Sequence, residues 1–347
     1  MKFDFAIGNP PYQETSENTS DKPIYNLFMD SAFKVADKVE LITPARFLFQ
    51  AGKTPKDWNE KMLNDEHFKV LSYKQTSKDV FPGTDIKGGV AITYRDGEKN
   101  FGAIKVFTHI EELRSIKDKV VAKSNDYLDG LVYAPESYRF TPQLHTDHPE
   151  IRYVDETHGI LSRGHDFDIT TNIFDKLSDI VFFDEKPNDG CEYIKIFGRK
   201  NNVRKFMFIR KNYVENHENL DKWKIILPKS NGSGALGEVL STPLIGEPLV
   251  GHTQSFISIG SLDSRAEANA LFKYIKTKFA RTMLGVLKVT QDNKKGVWAF
   301  VPRQDFTSSS DINWDVSIKE IDKQLYKKYG LSPEEVEFIE HHAKEMD

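Results

Sequence analysis

A short apolar run that stops on two consecutive prolines constrains this chain more than any other feature of its 347 residues. Phe3 to Ile7 is apolar except at Asp4 and reads as a short buried strand ending at Gly8. Asn9-Pro10-Pro11-Tyr12 follows at once. Successive prolines hold φ at about −65° and remove two backbone donors, so neither a helix nor a sheet ladder continues through them. After a polar loop from Asn9 to Pro23, helical spacing runs from Ile24 to Ala36, with Leu27, Phe28, Ala32, Val35 and Ala36 on one apolar stripe. Val39 to Ile42 is a second short strand, closed by Thr43-Pro44. Residues 45–50 and 58–63 read as helical. Val70 to Tyr73 and Gly89 to Tyr94 read as strands, separated by the turn Phe81-Pro82-Gly83. This alternation predicts an α/β sheet, largely parallel.

Ligands of open α/β sheets sit beyond the carboxyl ends of strands, which is where Asn9 falls. Taken alone, the four residues also fit a proline-stiffened turn that merely breaks the strand. Their types suit one task well. The exocyclic amino group of adenine is a poor nucleophile, because its lone pair is delocalised into the ring. Two acceptors placed on its N–H groups draw the nitrogen toward tetrahedral geometry and free that lone pair. The Asn9 side-chain carbonyl and the Pro10 backbone carbonyl are such acceptors, and the prolines hold them at low entropic cost. Tyr12 offers a flat face on which a base can stack once it has left the duplex.

Lys and Arg number 48 against 52 Asp and Glu, for a net charge of −4, which by itself argues mildly against a nucleic-acid partner. Its distribution says more. Lys195, Arg199, Lys200, Arg204, Lys205, Arg210 and Lys211 fall within seventeen residues that contain no acid. Such a stretch suits phosphate contact, and equally a solvated basic face. The single cysteine, Cys191, rules out an intrachain disulfide and fits a reducing, cytoplasmic setting. No apolar run approaches the ~20 residues that span a bilayer, and the amino terminus does not read as a signal peptide.

From about residue 115 the character changes, with prolines, histidines and aromatics scattered through 133–160. Residues 193–197, 206–210 and 224–227 read as strands. Ser264 and Glu267 form a capping box that opens one long helix carrying Leu271, Tyr274, Ile275, Phe279, Met283, Leu284 and Leu287. Ile318, Ile321, Leu325 and Tyr329, then Ser332-Pro333-Glu334-Glu335 with Val336 and Ile339, predict a closing helical hairpin. Asp189, Glu192 and Lys195 lack nuclease spacing, and His341-His342 cannot face one metal, so no metal site is expected. Trp223 and Trp298 read as core.

The stretch Phe3–Tyr12 resembles the catalytic motif of the DNA N6-adenine methyltransferases of restriction–modification systems. Glu40–Leu48 resembles the strand and turn that follow that motif. Asp79–Asp85, leading to Gly88–Ile92, resembles the later motif whose aromatic residue contacts the flipped base. Lys229–Gly234, Phe300–Thr307 and the final helices resemble the recognition region and tail of the large type II enzymes of this group. The resemblance implies catalytic roles for Asn9, Pro10, Pro11 and Tyr12, and base contact by Tyr12 and Phe81. Within that recognition region Arg199, Lys200, Arg204, Lys205 and Lys229 are the phosphate candidates by residue type, and Asn231 or Gln291 the candidates for reading a base edge. The fold expected is α/β, with a partial Rossmann-like methyltransferase sheet over 1–125. A mixed α+β DNA target-recognition domain follows over 126–315, then a C-terminal helical hairpin over 316–347.

The cofactor implied is S-adenosylmethionine, held in this group by a glycine-rich turn upstream of the motif. Only eight residues precede Asn9, so that half is expected outside this stretch. Gly232–Gly237 matches G-x-G-x-x-G but leads into Pro243, Gly246 and Pro248 rather than a helix, and reads as a recognition loop approaching DNA. The function expected is adenine-N6 methylation of double-stranded DNA, with the cofactor half missing or supplied by a second subunit. The alternatives are a non-catalytic DNA-binding specificity module or remnant, and methylation of another amino or amide group such as protein glutamine.

Overall fold

The computed structural model describes residues 3–346 apart from 15–21, 51, 85, 87, 109, 154, 156–158 and 289. Asp85 of the Asp79–Asp85 segment, part of the loop 9–23, and the side chain of Asp79 lie outside the described residues. The chain divides into two compact units, residues 1–114 and 115–347.

In the first unit, strand β1 (Phe3–Gly8) leads to the tetrapeptide and a small ladder of β2 (Gln13–Glu14) with β3 (Lys22–Pro23). Helix α1 (Tyr25–Val35) then runs directly into β4 (Ala36–Pro44). A 3-10 turn (Arg46–Phe49), α2 (Lys56–Asn64), β5 (Phe68–Lys74) and β6 (Val90–Asp96) complete the layer. The sheet order is β1-β4-β6-β5. β1 and β4 pair in parallel, as a helical crossover requires, but β6 pairs antiparallel with both β4 and β5. The expectation of a largely parallel sheet is therefore corrected. Residues 75–89 return from β5 to β6 without a full crossover helix, so β6 runs back and inserts between β5 and β4.

The core of this unit gathers Met29, Val39, Leu41, Phe47, Met62, Leu63 and Phe68. Trp58 stands 5.3 Å edge-on from Phe47 and donates its indole N–H to Asp30 at 3.0 Å. Two burial expectations fail here. Phe3, Phe5 and Ile7 are 58%, 59% and 76% exposed, so β1 is an edge strand rather than a buried one. Among the described residues it pairs only with β4, and one face of it lies bare. On α1, Leu27, Phe28 and Val35 are exposed, whereas Tyr25 and Met29 are buried and Ala32 and Phe33 pack against the core. The buried stripe is rotated from the expected one, because Tyr25 and Phe33 are amphipathic or bulky enough to extend it on the other side.

The second unit begins within α3 (Glu111–Lys123) and continues through β7 (Val132–Tyr133), α4 (Pro142–Asp147) and α5 (Ile173–Leu177). A hairpin of β8 (Tyr193–Lys200) and β9 (Val203–Arg210) follows, then β10 (Trp223–Pro228), β11 (Leu244–Gly246), β12 (Val250–His252) and β13 (Phe256–Leu262). One antiparallel sheet has the order β11-β10-β13-β7; a second has β12-β8-β9, with β12 parallel to β8. Phe140, Phe174, Phe182, Ile194, Ile196, Met207 and Ile209 form a core beneath the β8–β9 hairpin. Trp298 is buried, as expected, while Trp223 is half-buried.

The long helix expected from Ser264 is two helices, α6 (Arg265–Lys276) and α7 (Lys278–Leu284). At Thr277 the backbone turns to ψ 149°, and its hydroxyl accepts from the amide of Ala280. Asp322, on α8 (Ile318–Tyr329), accepts the amides of Lys278 at 3.0 Å and Phe279 at 2.9 Å. A carboxylate at a helix start satisfies its free donors and its dipole, which makes the break favourable. The capping box of Ser332 and Glu335 forms as expected at the head of α9 (Pro333–His342).

Candidate active site and nucleic-acid face

Both parallel strands of the first unit empty their carboxyl ends on one side. β1 ends at Gly8, level with Leu41, and Asn9 follows; β4 ends at Pro44, two residues before Arg46. β6 begins at Val90 opposite Pro44, so the loop 75–89 arrives at the same end. There a cleft of about 890 Å³ is lined by Asn9, Pro10, Pro11, Tyr12, Gln13, Pro23, Tyr25, Pro44, Arg46, Gly52, Lys53, Thr84 and Ile86.

The tetrapeptide is held from both sides. Gln13 pairs with Pro23, and the Ile24 amide donates to the Tyr12 carbonyl at 3.1 Å, which closes the loop behind the motif. Asn9 is exposed at the cleft and Pro10 and Tyr12 are half-buried. The Tyr12 hydroxyl is buried without a hydrogen-bond partner among the described residues, and burial pushes its pKa up to about 12. It stays neutral at physiological pH and is not a general base.

Phe81 sits in the facing loop. Buried Ser77 fastens that loop: its hydroxyl donates to the Thr84 carbonyl and accepts from the Ile86 amide, each at 2.8 Å. Its carbonyl takes the amide of Phe81, also at 2.8 Å. The loop closes at Gly89, with φ +76°, where a Cβ would lie 2.3 Å from the Lys74 carbonyl oxygen, so only glycine fits. The result is that Tyr12 and Phe81 meet edge-on, centroids 6.4 Å apart. Tyr12 lines the cleft, and Phe81 packs edge-to-face against it from the facing loop.

Chemically, the cleft offers acceptors and aromatic surface. Among the described lining residues none is Asp, Glu or His. Among the described residues no cluster of His, Cys, Asp and Glu is placed to hold a metal, and no helix is long and apolar enough to cross a membrane. Arg46, Lys53 and Tyr25 were not singled out by the sequence reading. The signal for Arg46 was its position just after the second parallel strand, the same rule that pointed to Asn9.

The DNA-contact candidates divide by face. In the β8–β9 register Arg199 lies opposite Arg204, Phe197 opposite Phe206, Lys195 opposite Phe208 and Tyr193 opposite Arg210, all on the side away from Ile194, Ile196, Met207 and Ile209. Phe206 is 40% exposed. Arg204 bonds to Thr242 and lies over the Phe256 ring. The Arg199 Nε is buried without a partner among the described residues. Lys200 and Lys205 fall on the other side, and Lys205 is paired with Asp184. Arg210 and Lys211 are paired with Asp189 and Glu192. The seven-cation stretch is thus partly neutralised by acids brought in from outside it.

Lys229 is exposed. Asn231 is buried, its amide donating to the Val239 carbonyl at 2.9 Å and its side-chain oxygen accepting from Ser241. The glycine run 232–237 wraps around Glu238, whose carboxylate takes the amides of Ser233 and Gly234 and the buried Lys288 ammonium. Residues after it lead to β11 without a helix.

Residues 1–81 match the Eco57I restriction-modification methylase family. The matched part includes the tetrapeptide and ends at Phe81. An uncharacterised adenine-specific methylase of Mycoplasma pneumoniae is 35% identical over 95 residues, which are 26% of this chain and 22% of that protein. Among solved structures, the type IIG restriction endonuclease BpuSI aligns over 93% of this chain and 48% of its own, at 9% identity and a TM-score of 0.33. The type IIL restriction-modification enzyme MmeI, solved with DNA, aligns over 97% and 56%, at 10% identity and a TM-score of 0.35. The chain thus spans about half the length of these two enzymes, and its matched stretch about a fifth of the methylase.

Proposed function

We propose that this chain carries the base-handling part of an adenine-N6 DNA methyltransferase of a restriction–modification system. The observation that carries the reading is the cleft at the carboxyl ends of β1 and β4, with Asn9 and Pro10 on one wall and the Tyr12–Phe81 pair beside them. A flipped adenine stacks on the aromatic wall. Its amino group donates to the Asn9 side-chain carbonyl and the Pro10 backbone carbonyl, which raises the nucleophilicity of the nitrogen. The carboxyl-end position and the parallel β1–β4 pair suit a Rossmann-like methyltransferase sheet.

In this reading the methyl donor is S-adenosylmethionine, and its binding elements lie outside the base-handling cleft. The G-x-G-x-x-G run at 232–237 opens no helix, and two of its amides are taken by Glu238. The bare edge of β1, with Phe3, Phe5 and Ile7 exposed, suits further strands of the same sheet, from a longer polypeptide or a second chain. The donor-binding elements belong there in this reading. The second unit, with its basic β8–β9 face, serves as the target-recognition region on double-stranded DNA.

Incubation of duplex DNA with isotope-labelled S-adenosylmethionine tests the reading, with the chain alone and with the product of a neighbouring gene. Label recovered as N6-methyladenine supports it. A non-catalytic DNA-binding module is the second reading; DNA retention without label in every combination favours it.

A further inference from the structure

We propose that residues 229–231 and 291–293 form a ribbon that reads duplex DNA from the major groove. Ser230, Gln291 and Asp292 meet base edges, and Lys229, Lys294 and Lys295 hold the flanking phosphates. The inference rests on the target-recognition reading of the second unit and assigns that role to particular side chains. The two segments run antiparallel and are bridged at Ser230 and Asp292. The Asn231 amide donates to the Gln291 carbonyl at 2.7 Å, and the Asn293 amide to the Lys229 carbonyl at 2.8 Å. These bonds flank the bridge, so Ser230 and Asp292 form the closer, non-hydrogen-bonded kind of pair, with both side chains on one face. Successive residues of a strand alternate faces. Asn231 and Asn293 are buried, and Ser230 and Asp292 are exposed.

The ribbon is clamped from within. The buried Lys288 ammonium donates to the Asn231 carbonyl at 2.8 Å and to the Thr290 carbonyl, just before Gln291, at 2.9 Å. It also pairs with Glu238. The Asn293 side-chain amide donates to the Pro228 carbonyl at 3.0 Å. A fixed backbone with exposed polar side chains is what base reading requires, and a two-stranded ribbon fits the major groove. Charge divides the roles. Lys229, Lys294 and Lys295 are exposed and form no ion pair among the described residues. They suit phosphates, which position the protein without carrying sequence information. Asp292 is exposed too, and its carboxylate has no partner among the described residues. An acid set among phosphate-binding cations repels the polyanion, except where amino groups face it, as at cytosine N4 or adenine N6. It selects rather than attracts. Gln291, also exposed, carries the paired donor and acceptor that match adenine.

The test uses the full chain and a pool of duplexes with a randomised central segment, retained on the protein and sequenced. The parent is expected to retain duplexes and to enrich particular bases. Ser230→Ala, Gln291→Ala and Asp292→Asn should each relax the preference at one or two positions by about tenfold, the effect of one base-edge contact. Asp292→Asn should also bind the unselected pool more tightly than the parent does, because a charge that repels phosphate is gone. The triple variant Lys229→Gln, Lys294→Gln, Lys295→Gln should keep the base preference and lower the slope of log K against log salt by about 2–3. A preference unaltered in all three base-edge variants, or a parent that binds without preference, overturns the base-edge assignment and leaves DNA binding standing. Loss of affinity together with preference in Asp292→Asn overturns its selective role, and an unchanged salt slope in the lysine variant overturns the phosphate assignment. A parent that retains no duplex contradicts the target-recognition reading itself. Circular dichroism checks folding; all six side chains are exposed, and the single and triple variants decide independently.

Discussion

The ring of Phe81 stands edge-on to that of Tyr12, centroids 6.4 Å apart and planes at 69°, although 69 residues separate them in the chain (81 − 12). Two loops hold the rings there independently: the β2–β3 ladder behind Tyr12, and Ser77 behind Phe81. If a base stacks here, Phe81→Ala should weaken deoxyadenosine binding by about 5- to 150-fold, in line with ~1–3 kcal/mol for base–aromatic stacking. Phe81→Tyr should retain it. Equal affinity in Phe81→Ala would show that the pair is a packing contact only.

The Tyr12 hydroxyl is buried without a partner among the described residues, an arrangement unfavourable by about 1–3 kcal/mol. Tyr12→Phe is therefore expected to raise the melting temperature of the free chain or leave it unchanged, while keeping the stacking surface. A clear loss of stability would mean the hydroxyl has a partner in the fold.

Asp322 caps α7 from inside the second unit, and burial pushes its carboxyl up to about 6. Its pKa is raised on folding, so the unfolded chain loses the proton first as pH rises. The protonated fold is therefore favoured below the ordinary Asp value near 3.8, and that advantage is lost as pH climbs through about 6. The associated change is on the order of 2–3 kcal/mol. Asp322→Asn should flatten the pH dependence of chemical denaturation between pH 4 and 6; an unaltered slope would remove Asp322 as its source.

The exposed β1 edge predicts self-association. Phe5→Glu with Ile7→Lys should lower the oligomer fraction in sedimentation at high concentration without lowering stability much, since both side chains are largely exposed. A strictly monomeric parent chain would contradict the idea that this edge seeks a partner strand.

On the β8–β9 hairpin, Arg199 and Arg204 face each other with no acid between them, a like-charge pair that a polyanion relieves. Replacing both by Gln should weaken duplex DNA binding and reduce the slope of log K against log salt by about 2. Lys205→Gln, which removes a side chain already paired with Asp184, should change the slope less.

What the residues disclosed in advance follows from where local chemistry decides structure. Asn9 to Tyr12 were legible as a loop closing a strand because two prolines after an apolar run leave few conformations; the turn after Phe81 marked only a loop between strands, and Phe81 itself was reached through a family resemblance. The exposure of β1 was not, since apolarity does not say which strands are available to cover it. Nor was the break at Thr277, because its cap comes from Asp322, 45 residues away (322 − 277). The burial of Asn231 depends on backbone groups of its own loop, and the position of the Arg46 stem on the space left by Gly52 and Gly88. Such relationships carry no periodicity.

The central claim is that Asn9 activates an adenine amino group. Methyl transfer to duplex DNA, with the neighbouring gene product present if required, is followed by mass analysis of the released nucleosides for parent and Asn9→Ala. N6-methyladenine is the expected product, with a loss of about 10²–10³-fold in Asn9→Ala, the range for removing one aligned hydrogen-bonding group at the reacting atom. Unchanged methylation by Asn9→Ala, or a methyl group on any other base, would contradict it.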